Sequence, residues 1–180
     1  MNKIFLDLDM TLNSMSFDWC TSLGIKPKDV LYYGWIRDAL GPNAEAWWAV
    51  PGVYSIITPL PGSQPFVAAL AEFCKVYIVT HTHSNQNPVE KDLWIDKYFS
   101  PYITDIIHAS EKFYHTKDSI LVDDCPRHIH DHIRHNDCPG VLFNFRNEYG
   151  WTRPLLADDR LIMASSYDSV LDIVKLCYLS

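Results

Sequence analysis

The stretch Ile4-Phe5-Leu6-Asp7-Leu8-Asp9-Met10-Thr11 decides the fold, because an apolar run ends in it on acidic and hydroxyl side chains. Two later stretches repeat this pattern: Val76-Tyr77-Ile78-Val79-Thr80 and Ser119-Ile120-Leu121-Val122-Asp123-Asp124. Short apolar runs rich in β-branched residues are typical of buried parallel strands. Ligands of open α/β sheets bind beyond the carboxyl ends of the strands, so the three runs predict one site at one edge of a sheet.

The rest of the chain alternates between extended and amphipathic patterns. We predict strands over residues 3–8, 75–79, 103–108, 120–122 and 140–145, and helices over residues 63–73, 89–98, 127–135 and 167–178. Strands that alternate with helices imply a parallel sheet. Between residues 15 and 58 aromatic residues are dense, and Pro and Gly interrupt every apolar run, which favours short helices. We therefore predict an α/β fold with a Rossmann-like three-layer core (residues 1–14 and 59–180) and a small helical cap (residues 15–58) inserted after the first strand.

Composition limits the classes of protein that this chain can belong to. Its 180 residues and 48% hydrophobic content suit one domain with an insertion. The net charge of −7 disfavours nucleic acid as a partner, because binding a phosphate backbone needs clustered Lys and Arg. Five scattered Cys residues are typical of reduced thiols in a cytoplasmic protein. No apolar run approaches the roughly 20 residues of a membrane helix, so no membrane partner is expected; exposed cap aromatics would permit a homodimer.

The acidic residues at the predicted strand ends are candidate metal ligands. Asp7 and Asp9 are two positions apart, so their side chains leave an extended backbone on the same side and repel each other. A Mg²⁺ ion between Asp7, the backbone carbonyl of Asp9 and a carboxylate of Asp123 or Asp124 would relieve this repulsion. Mg²⁺ prefers oxygen ligands and keeps sites for water and substrate phosphate. The predicted cofactor is therefore Mg²⁺.

The same residue types suit phosphoryl transfer. Asp7 could attack phosphorus, since carboxylates form acyl-phosphate intermediates. Asp9 could protonate the leaving oxygen and later deprotonate the attacking water. Thr80 offers a hydroxyl to the phosphate oxygens, and Lys112 or Lys117 a positive charge. Lys112 is favoured, because Lys117 lies very close to the predicted strand.

Histidine and aromatic residues suggest further contacts. Four histidines, His128, His130, His132 and His135, lie between Cys125 and Cys138, and residues 128, 132 and 135 would share a helix face. The chain lacks a Cys-x-x-Cys or His-Glu-x-x-His frame for zinc, so we interpret the four as a polar helix surface. His81 follows Thr80 in a loop expected at the substrate. Phe17 and Tyr54 belong to the aromatic insertion and could stack on a base.

These motifs resemble those of the haloacid dehalogenase superfamily of phosphotransferases. Asp7-Leu8-Asp9-Met10-Thr11 is similar to its first motif, Thr80 to its second, Lys112 to its third and Asp123-Asp124 to its fourth. Within the superfamily, the chain most resembles the 5′(3′)-deoxyribonucleotidases over nearly all of its length. The matching segments include Pro51-Gly52-Val53-Tyr54, Pro59-Leu60-Pro61-Gly62 and a helix that carries Glu90-Lys91 and Trp94.

The resemblance implies a Mg²⁺-dependent phosphatase that hydrolyses nucleoside monophosphates, chiefly of pyrimidine deoxyribonucleosides. It assigns the nucleophile to Asp7 and the acid/base role to Asp9. It also implies contacts of Thr80, Lys91 and Lys112 with the phosphate or nucleotide.

The implied base pocket is where the sequence departs most from this family. Val53 and Tyr54 fall at the position of that pocket. Met15 stands where the family usually has an aromatic residue, His81 where it has Ser, and Met10 where it has Gly. These departures leave the phosphatase chemistry intact and bear on base preference.

Three alternatives remain at this point. The first is a phosphatase of the same fold that acts on a sugar phosphate or another small phosphomonoester. The second is a catalytically silent nucleotide-binding protein. The third, a dehalogenase, is disfavoured because that reaction needs neither an acid/base at Asp9 nor a metal.

Overall fold

The fold centres on one parallel sheet. The structure, a computed structural model, describes residues 2–32, 34–82, 87–155 and 157–179. Its six strands are β1 Lys3–Leu6, β2 Lys75–Thr80, β3 Ile103–His108, β4 Ile120–Asp123, β5 Gly140–Phe143 and β6 Leu161–Ala164. They lie in the order β3-β2-β1-β4-β5-β6, and every neighbouring pair is parallel. The predicted α/β, Rossmann-like fold is confirmed.

Helices cover both faces of this sheet. They are α1 Met15–Ser22, α2 Trp35–Leu40, α3 Ser63–Ala71, α4 Asn87–Phe99, α5 Pro126–His135 and α6 Tyr167–Leu179. Two apolar clusters, a larger and a smaller one, pack against the sheet. Successive side chains of β1 point to opposite faces, so Ile4 and Leu6 belong to the larger cluster and Phe5 belongs to the smaller one. The smaller cluster includes Ile129 of α5. None of the described helices has the length and apolar character that crossing a membrane requires.

The insertion leaves the core and returns to it at one place. Asn13 and Pro59 form an isolated antiparallel bridge, the Ser14 amide donates to the Thr58 carbonyl at 2.9 Å, and the Leu60 amide donates to the Leu12 carbonyl at 2.9 Å. The described residues between them form α1, α2 and short 3-10 turns. The region is thus helical where it is described, while its behaviour as a separate cap domain stays a prediction.

Three sequence predictions of strands need correction. The strand predicted over residues 3–8 ends at Leu6, since the chain bends at Leu8 and turns at Asp9 and Met10, and the strand predicted over residues 140–145 ends at Phe143. The sixth strand, β6, was not predicted. It is four residues long and pairs only with β5, so it lies at the sheet edge.

Candidate active site

The sheet topology brings the predicted acidic residues together. The chain runs from β1 outward to β2 and β3, then returns to place β4 on the other side of β1. The strand order therefore reverses between β1 and β4, which is where ligands bind in open α/β sheets. Asp7 follows β1, and its amide donates to the Val122 carbonyl of β4 at 2.8 Å. Asp123 ends β4 and Thr80 ends β2 at the same edge.

Three buried carboxylates form the centre of the site. Oxygen atoms of Asp7, Asp123 and Asp124 lie within 4.8 Å of one another. Burial raises the pKa of Asp7 to about 6, an effect that Lys112 opposes and that the charges of Asp123 and Asp9 reinforce. Burial and the neighbouring Asp123 and Asp7 charges raise the pKa of Asp124 well above its usual range. A divalent cation between these carboxylates would stabilise their ionised forms, and an all-oxygen donor set fits Mg²⁺. The cluster could therefore hold a metal ion.

Lys112 is the cation that the fold itself supplies to this cluster. Its Nζ donates to Asp7 Oδ1 at 2.6 Å and to Asp123 Oδ2 at 2.7 Å, and the side chain is only 1% exposed. Burial alone would lower the pKa of Lys112, but the charges of Asp123 and Asp7 raise it above its ordinary value. Lys117, the sequence alternative, is exposed to solvent. The geometry therefore favours Lys112 for the phosphate-binding cation.

Asp9 sits in a separate hydrogen-bond network beside the cluster. Its Oδ2 pairs with Lys91 Nζ at 2.8 Å, and its Oδ1 accepts hydrogen bonds from the Tyr54 hydroxyl at 2.7 Å and from Asn13 Nδ2 at 2.9 Å. Burial alone would raise the pKa of Asp9, but the Lys91 charge and the three hydrogen bonds bring it below its usual value. The resting Asp9 is therefore a carboxylate with satisfied oxygens.

Lys91 connects this network to β2. Its Nζ also donates to Thr80 Oγ1 at 2.8 Å and to the backbone carbonyl of His81. Thr80 and Lys91 are each about 1% exposed. One lysine thus links the acid/base candidate to the hydroxyl predicted to bind phosphate, and the backbone carbonyl of His81 accepts a hydrogen bond from it.

Sequence reasoning missed two residues that orient the cluster. Trp151 Nε1 donates to Asp124 Oδ2 at 2.8 Å, and His128 Nδ1 lies 3.0 Å from Asp123 Oδ2. Burial alone would lower the pKa of His128, but the Asp123 charge raises it to about 10, so the ring is protonated. The sequence held one usable signal: His128 lies in the first turn of the helix that follows Asp123-Asp124. Trp151 comes from a loop far along the chain, and no local pattern indicated it.

The interpretation of the helix histidines as a polar surface is wrong for two of them. His128 faces Asp123, and His132 is fully buried, with Nδ1 2.8 Å from Thr116 Oγ1 and Nε2 3.2 Å from the Pro139 carbonyl. His130 is partly exposed and His135 lies on the exposed end of the helix, where its ring stacks on Phe113. Among the described side chains, the only group of three or more acidic, Cys or His residues able to share a metal ion is the aspartate cluster, so the histidines form no zinc site.

The residues expected at the base pocket occupy different surroundings. Met15 is fully buried and Val53 is 4% exposed, both within the apolar core. Phe17 is half-buried and packs against Phe145 and Tyr149. Contacts of these three side chains with a base stay predictions, whereas Tyr54 contacts Asp9 directly.

Met10, the residue in place of the usual Gly, adopts a left-handed backbone conformation with φ of 65°. That conformation costs a non-glycine residue about 1 kcal/mol. Two hydrogen bonds to the Met10 backbone stabilise this conformation. The Met10 amide donates to Asn13 Oδ1 at 3.1 Å, and the Tyr149 hydroxyl donates to the Met10 carbonyl at 2.8 Å. The turn after Asp9 is therefore retained without glycine.

A cavity of about 760 Å³ lies between the insertion and the core, and we call it the large cavity. Its walls include Trp19, Tyr32 and Trp48 from the insertion, and Met10, Cys125 and Trp151 from the core. Three of these lining residues place the large cavity next to the acidic cluster. Met10 follows Asp9, Cys125 follows Asp124, and Trp151 donates a hydrogen bond to Asp124. A volume of this size is typical of a pocket for a small molecule.

Comparison with known proteins identifies the fold. No protein-family model and no curated protein matches the chain. A haloacid dehalogenase-like family hydrolase from Xanthomonas campestris matches with a TM-score of 0.65 at 13% identity, over 99% of this chain and 96% of that one. The HAD-hydrolase YfnB from Bacillus subtilis, solved bound to magnesium, matches with a TM-score of 0.62 at 9% identity, over 96% and 98%. A 2-haloacid dehalogenase from Pseudomonas syringae pv. tomato DC3000 matches with a TM-score of 0.58 at 14% identity, over 98% and 99%. The chain therefore has the α/β fold of the haloacid dehalogenase-like hydrolases.

Proposed function

We propose that the protein is a Mg²⁺-dependent phosphatase that hydrolyses nucleoside monophosphates through an aspartyl-phosphate on Asp7. The observation that carries this proposal is the charge arrangement at the switch point of the sheet. Asp7, Asp123 and Asp124 are buried together, and Lys112 donates hydrogen bonds to the first two. A second buried lysine, Lys91, donates to Asp9 and to Thr80 at the end of β2. Buried charges are costly, so such a cluster indicates a functional site rather than a stabilising device.

The proposed reaction uses the two aspartates in turn. A carboxylate oxygen of Asp7 attacks phosphorus, the bond to the leaving oxygen breaks, and Asp9 gives that oxygen a proton. Water then attacks the phosphorus of the acyl phosphate, Asp9 takes a proton from this water, and the bond between phosphorus and the Asp7 oxygen breaks. This releases inorganic phosphate and restores the Asp7 carboxylate. Mg²⁺ held by the acidic cluster and the Asp9 carbonyl would neutralise charge on the phosphate. Lys112 and Thr80 would donate to the phosphate oxygens.

Lys91 explains how Asp9 can change its protonation state. In the resting site Lys91 stabilises the Asp9 carboxylate across 2.8 Å. A substrate phosphate dianion beside Thr80 would compete for the same ammonium group. When Lys91 turns to the phosphate, Asp9 loses its counter-charge while it stays buried, so its pKa rises and it can carry the proton for the leaving group.

Two considerations support a nucleotide as the substrate. The motifs and their order resemble the 5′(3′)-deoxyribonucleotidases, and the large cavity beside the cluster is walled by aromatic rings. Aromatic side chains stack on bases of any identity. A sugar phosphate would leave these rings without a partner.

Dehalogenation is the second candidate, because the matching structures include a 2-haloacid dehalogenase. That reaction releases halide, which needs no proton, so it has no use for an acid/base at Asp9. The three donors to Asp9 and the two further carboxylates of the cluster favour phosphoryl transfer over halide displacement.

A substrate panel tests the proposal. Phosphate release is measured from dUMP, dTMP, dCMP, dGMP, the matching ribonucleotides, 3′-monophosphates and sugar phosphates, with Mg²⁺ and with excess chelator; halide release is measured from a 2-haloacid. We expect Mg²⁺-dependent release from nucleotides. Release from sugar phosphates alone would keep the chemistry and overturn the substrate. Halide release unaffected by chelator would establish the dehalogenase instead, and silence in both assays would favour the binding role.

Asp7→Asn tests the nucleophile. The substitution keeps the shape of the side chain but removes the attacking carboxylate, so we expect phosphate release to fall by at least about 10³-fold, as the loss of a catalytic nucleophile does. Asp96→Asn on the exposed face of α4 is the matched control and should retain full activity. Substantial turnover by Asp7→Asn would exclude the aspartyl-phosphate.

A further inference from the structure

The large cavity has rigid aromatic walls on both sides. In the insertion, the Trp19 and Trp48 rings pack edge to face at 5.1 Å, and Trp19 Nε1 donates to the Ala44 carbonyl at 2.9 Å. On the core side, the Trp151 ring stacks on Tyr149 at 4.7 Å. Fixed aromatic side chains bind flat rings with little entropic cost. The cavity is therefore suited to a ring-bearing ligand.

The junction between the two walls is closed by backbone contact. The Gly150 amide donates to the Pro27 carbonyl at 3.2 Å, and a Cβ at Gly150 would lie 2.4 Å from the Lys28 carbonyl oxygen. Only glycine allows this approach. The loop that carries Trp151 is thus seated directly against the insertion, so both parts of the protein hold the same cavity.

Three of the six arginines of the chain line this cavity, namely Arg37, Arg127 and Arg153, and no Asp or Glu is found among its described lining residues. Arg37 has a weak partner, because its Nε lies 3.5 Å from Asp38 and both side chains are about half exposed. For Arg127 and Arg153, no carboxylate of the described residues lies within salt-bridge distance. In a chain with a net charge of −7, this is a local concentration of positive charge, of which Arg127 and Arg153 have no described carboxylate partner.

With these arginines, the protein has more positively charged donors here than the binding of one phosphate group needs. The proposed phosphate site at Asp7 already has Lys112, Lys91 and Thr80 as its donors, and all three are buried at the strand ends. Arg127 also lines a smaller cavity of about 270 Å³ together with Lys112, Glu111 and Asp131, so this arginine lies between the reaction centre and the large cavity. Arginine suits phosphate because its planar group donates two parallel hydrogen bonds.

We propose that the large cavity selects a phosphomonoester whose leaving group carries both an aromatic base and a second phosphate, as in a nucleoside 3′,5′-bisphosphate. This inference rests on the proposed function. One phosphate binds at Asp7 and is hydrolysed, the base lies between the Trp19–Trp48 pair and Trp151, and Arg127 and Arg153 bind the other phosphate. Water is consumed at the first phosphate only, so the products are inorganic phosphate and a nucleoside monophosphate.

Matched substrates test the selection. With Mg²⁺, kcat/KM is measured for thymidine 3′,5′-bisphosphate and for the two thymidine monophosphates. We expect kcat/KM for the bisphosphate to exceed that for the better monophosphate by at least about tenfold, mainly because KM is lower. A tenfold ratio is what one charge-assisted hydrogen bond contributes. In the double variant Arg127→Gln/Arg153→Gln this ratio should fall to about 2 or less. Arg134→Gln, an exposed arginine on the same helix that lines neither cavity, should keep the ratio.

A binding measurement separates this inference from the proposed function. Titration calorimetry of the Asp7→Asn protein with the same three ligands needs no turnover. Phosphate release from all three at equal efficiency, or a preference that survives the double arginine variant, would overturn the inference and leave the phosphatase standing. Phosphate release from none of them would overturn the phosphatase for these substrates; tighter calorimetric binding of the bisphosphate would then still support the arginine subsite, and equal binding would remove it as well.

Discussion

At the scale of single residues, the protonation of Asp9 is decided by neighbours that come from distant parts of the chain. Lys91 lies in α4, Asn13 follows the first strand, and Tyr54 lies near the end of the insertion. Each donates to a carboxylate oxygen and so favours the ionised form. Among the described residues of the insertion, Tyr54 donates to Asp9, which couples the insertion to the proposed acid/base residue.

Tyr54→Phe isolates this contribution. The variant keeps the buried ring and loses the 2.7 Å hydrogen bond to Asp9. Because that bond fixes the position of the Asp9 carboxyl group, its loss should lower kcat by about 10- to 100-fold, the value of a hydrogen bond to a charged group. Because the bond also stabilises the carboxylate, its loss should raise the pKa of Asp9. The measurement is the pH profile of kcat, in which the step assigned to Asp9 should move to higher pH.

Tyr102→Phe serves as the control, since that tyrosine is 41% exposed and remote from the network in sequence and fold. It should leave both the rate and the pH profile unchanged. If Tyr54→Phe lowers stability but leaves the pH profile in place, the tyrosine is a packing residue and not a positioning residue for Asp9.

The sequence predicted the residues that stand at strand ends and missed those that arrive from loops. Asp7, Thr80 and Asp123 could be placed together because parallel strands deliver their carboxyl ends to one edge. Lys112 could be placed by its spacing from the following strand. Trp151 could not be placed, because its contact with Asp124 depends on the path of a loop that no local pattern encodes.

At the scale of elements, α5 combines two histidines with opposite electrostatic surroundings. His128 in its first turn faces the Asp123 carboxylate and is protonated, whereas His132 one turn later is buried against Thr116. His132 Nδ1 accepts from the Thr116 hydroxyl and its Nε2 donates to the Pro139 carbonyl. Burial lowers the pKa of His132 to about 4. This ring therefore anchors the helix only in its neutral form.

Acid should accordingly weaken the fold through His132. The unfolded chain binds a proton with a pKa near 6.5 and the folded protein only near 4, so between these values the unfolded state holds more protons. The contribution of His132 to the free energy of unfolding is complete above pH 6.5 and falls as the pH drops through this window, by about 3 kcal/mol between pH 7 and pH 4. Urea unfolding at several pH values measures this slope.

His132→Gln should flatten that slope, although the variant is less stable at pH 7 because Thr116 and Pro139 lose their partner. His135→Gln, at the exposed end of the same helix, should keep the slope of the natural protein. An unchanged slope in His132→Gln would show that other groups control the acid response.

The elements themselves were predicted to different degrees, for a physical reason. β1, β2 and β4 are central strands buried on both faces, so their composition is continuously apolar and easy to recognise. The edge strand β6 is half-buried over most of its length and carries no polar site residue at its end, so it lacks the signal that marked the others. Propensity alone does not identify a four-residue edge strand.

At the scale of the whole molecule, the acidic cluster joins the two halves of the sheet. Asp7 belongs to the half built from β1, β2 and β3, while Asp123 and Asp124 belong to the half that begins with β4. Lys112 connects one carboxylate of each half and the protonated His128 ring faces Asp123, but Asp7 and Asp124 still repel each other when both are ionised. The remaining repulsion acts across the centre of the fold, so its relief by a cation should stabilise the entire molecule.

Mg²⁺ should therefore raise the melting temperature of the protein without any substrate. At a concentration 100 times its dissociation constant, a ligand that binds only the folded state stabilises it by about 2.7 kcal/mol. For a chain of this size that corresponds to a rise of about 5–10 °C. Calorimetric melting in Mg²⁺ and in excess chelator measures the difference.

Asp124→Asn should reduce this rise in melting temperature, because it removes one of the cluster's carboxylates, and Asp159→Asn at an exposed position should not. Since Asp124 is costly to ionise where it is buried, Asp124→Asn should also melt no lower than the natural protein in chelator. A melting temperature that is independent of Mg²⁺ in the natural protein would contradict the metal site, and with it the metal-dependent phosphatase.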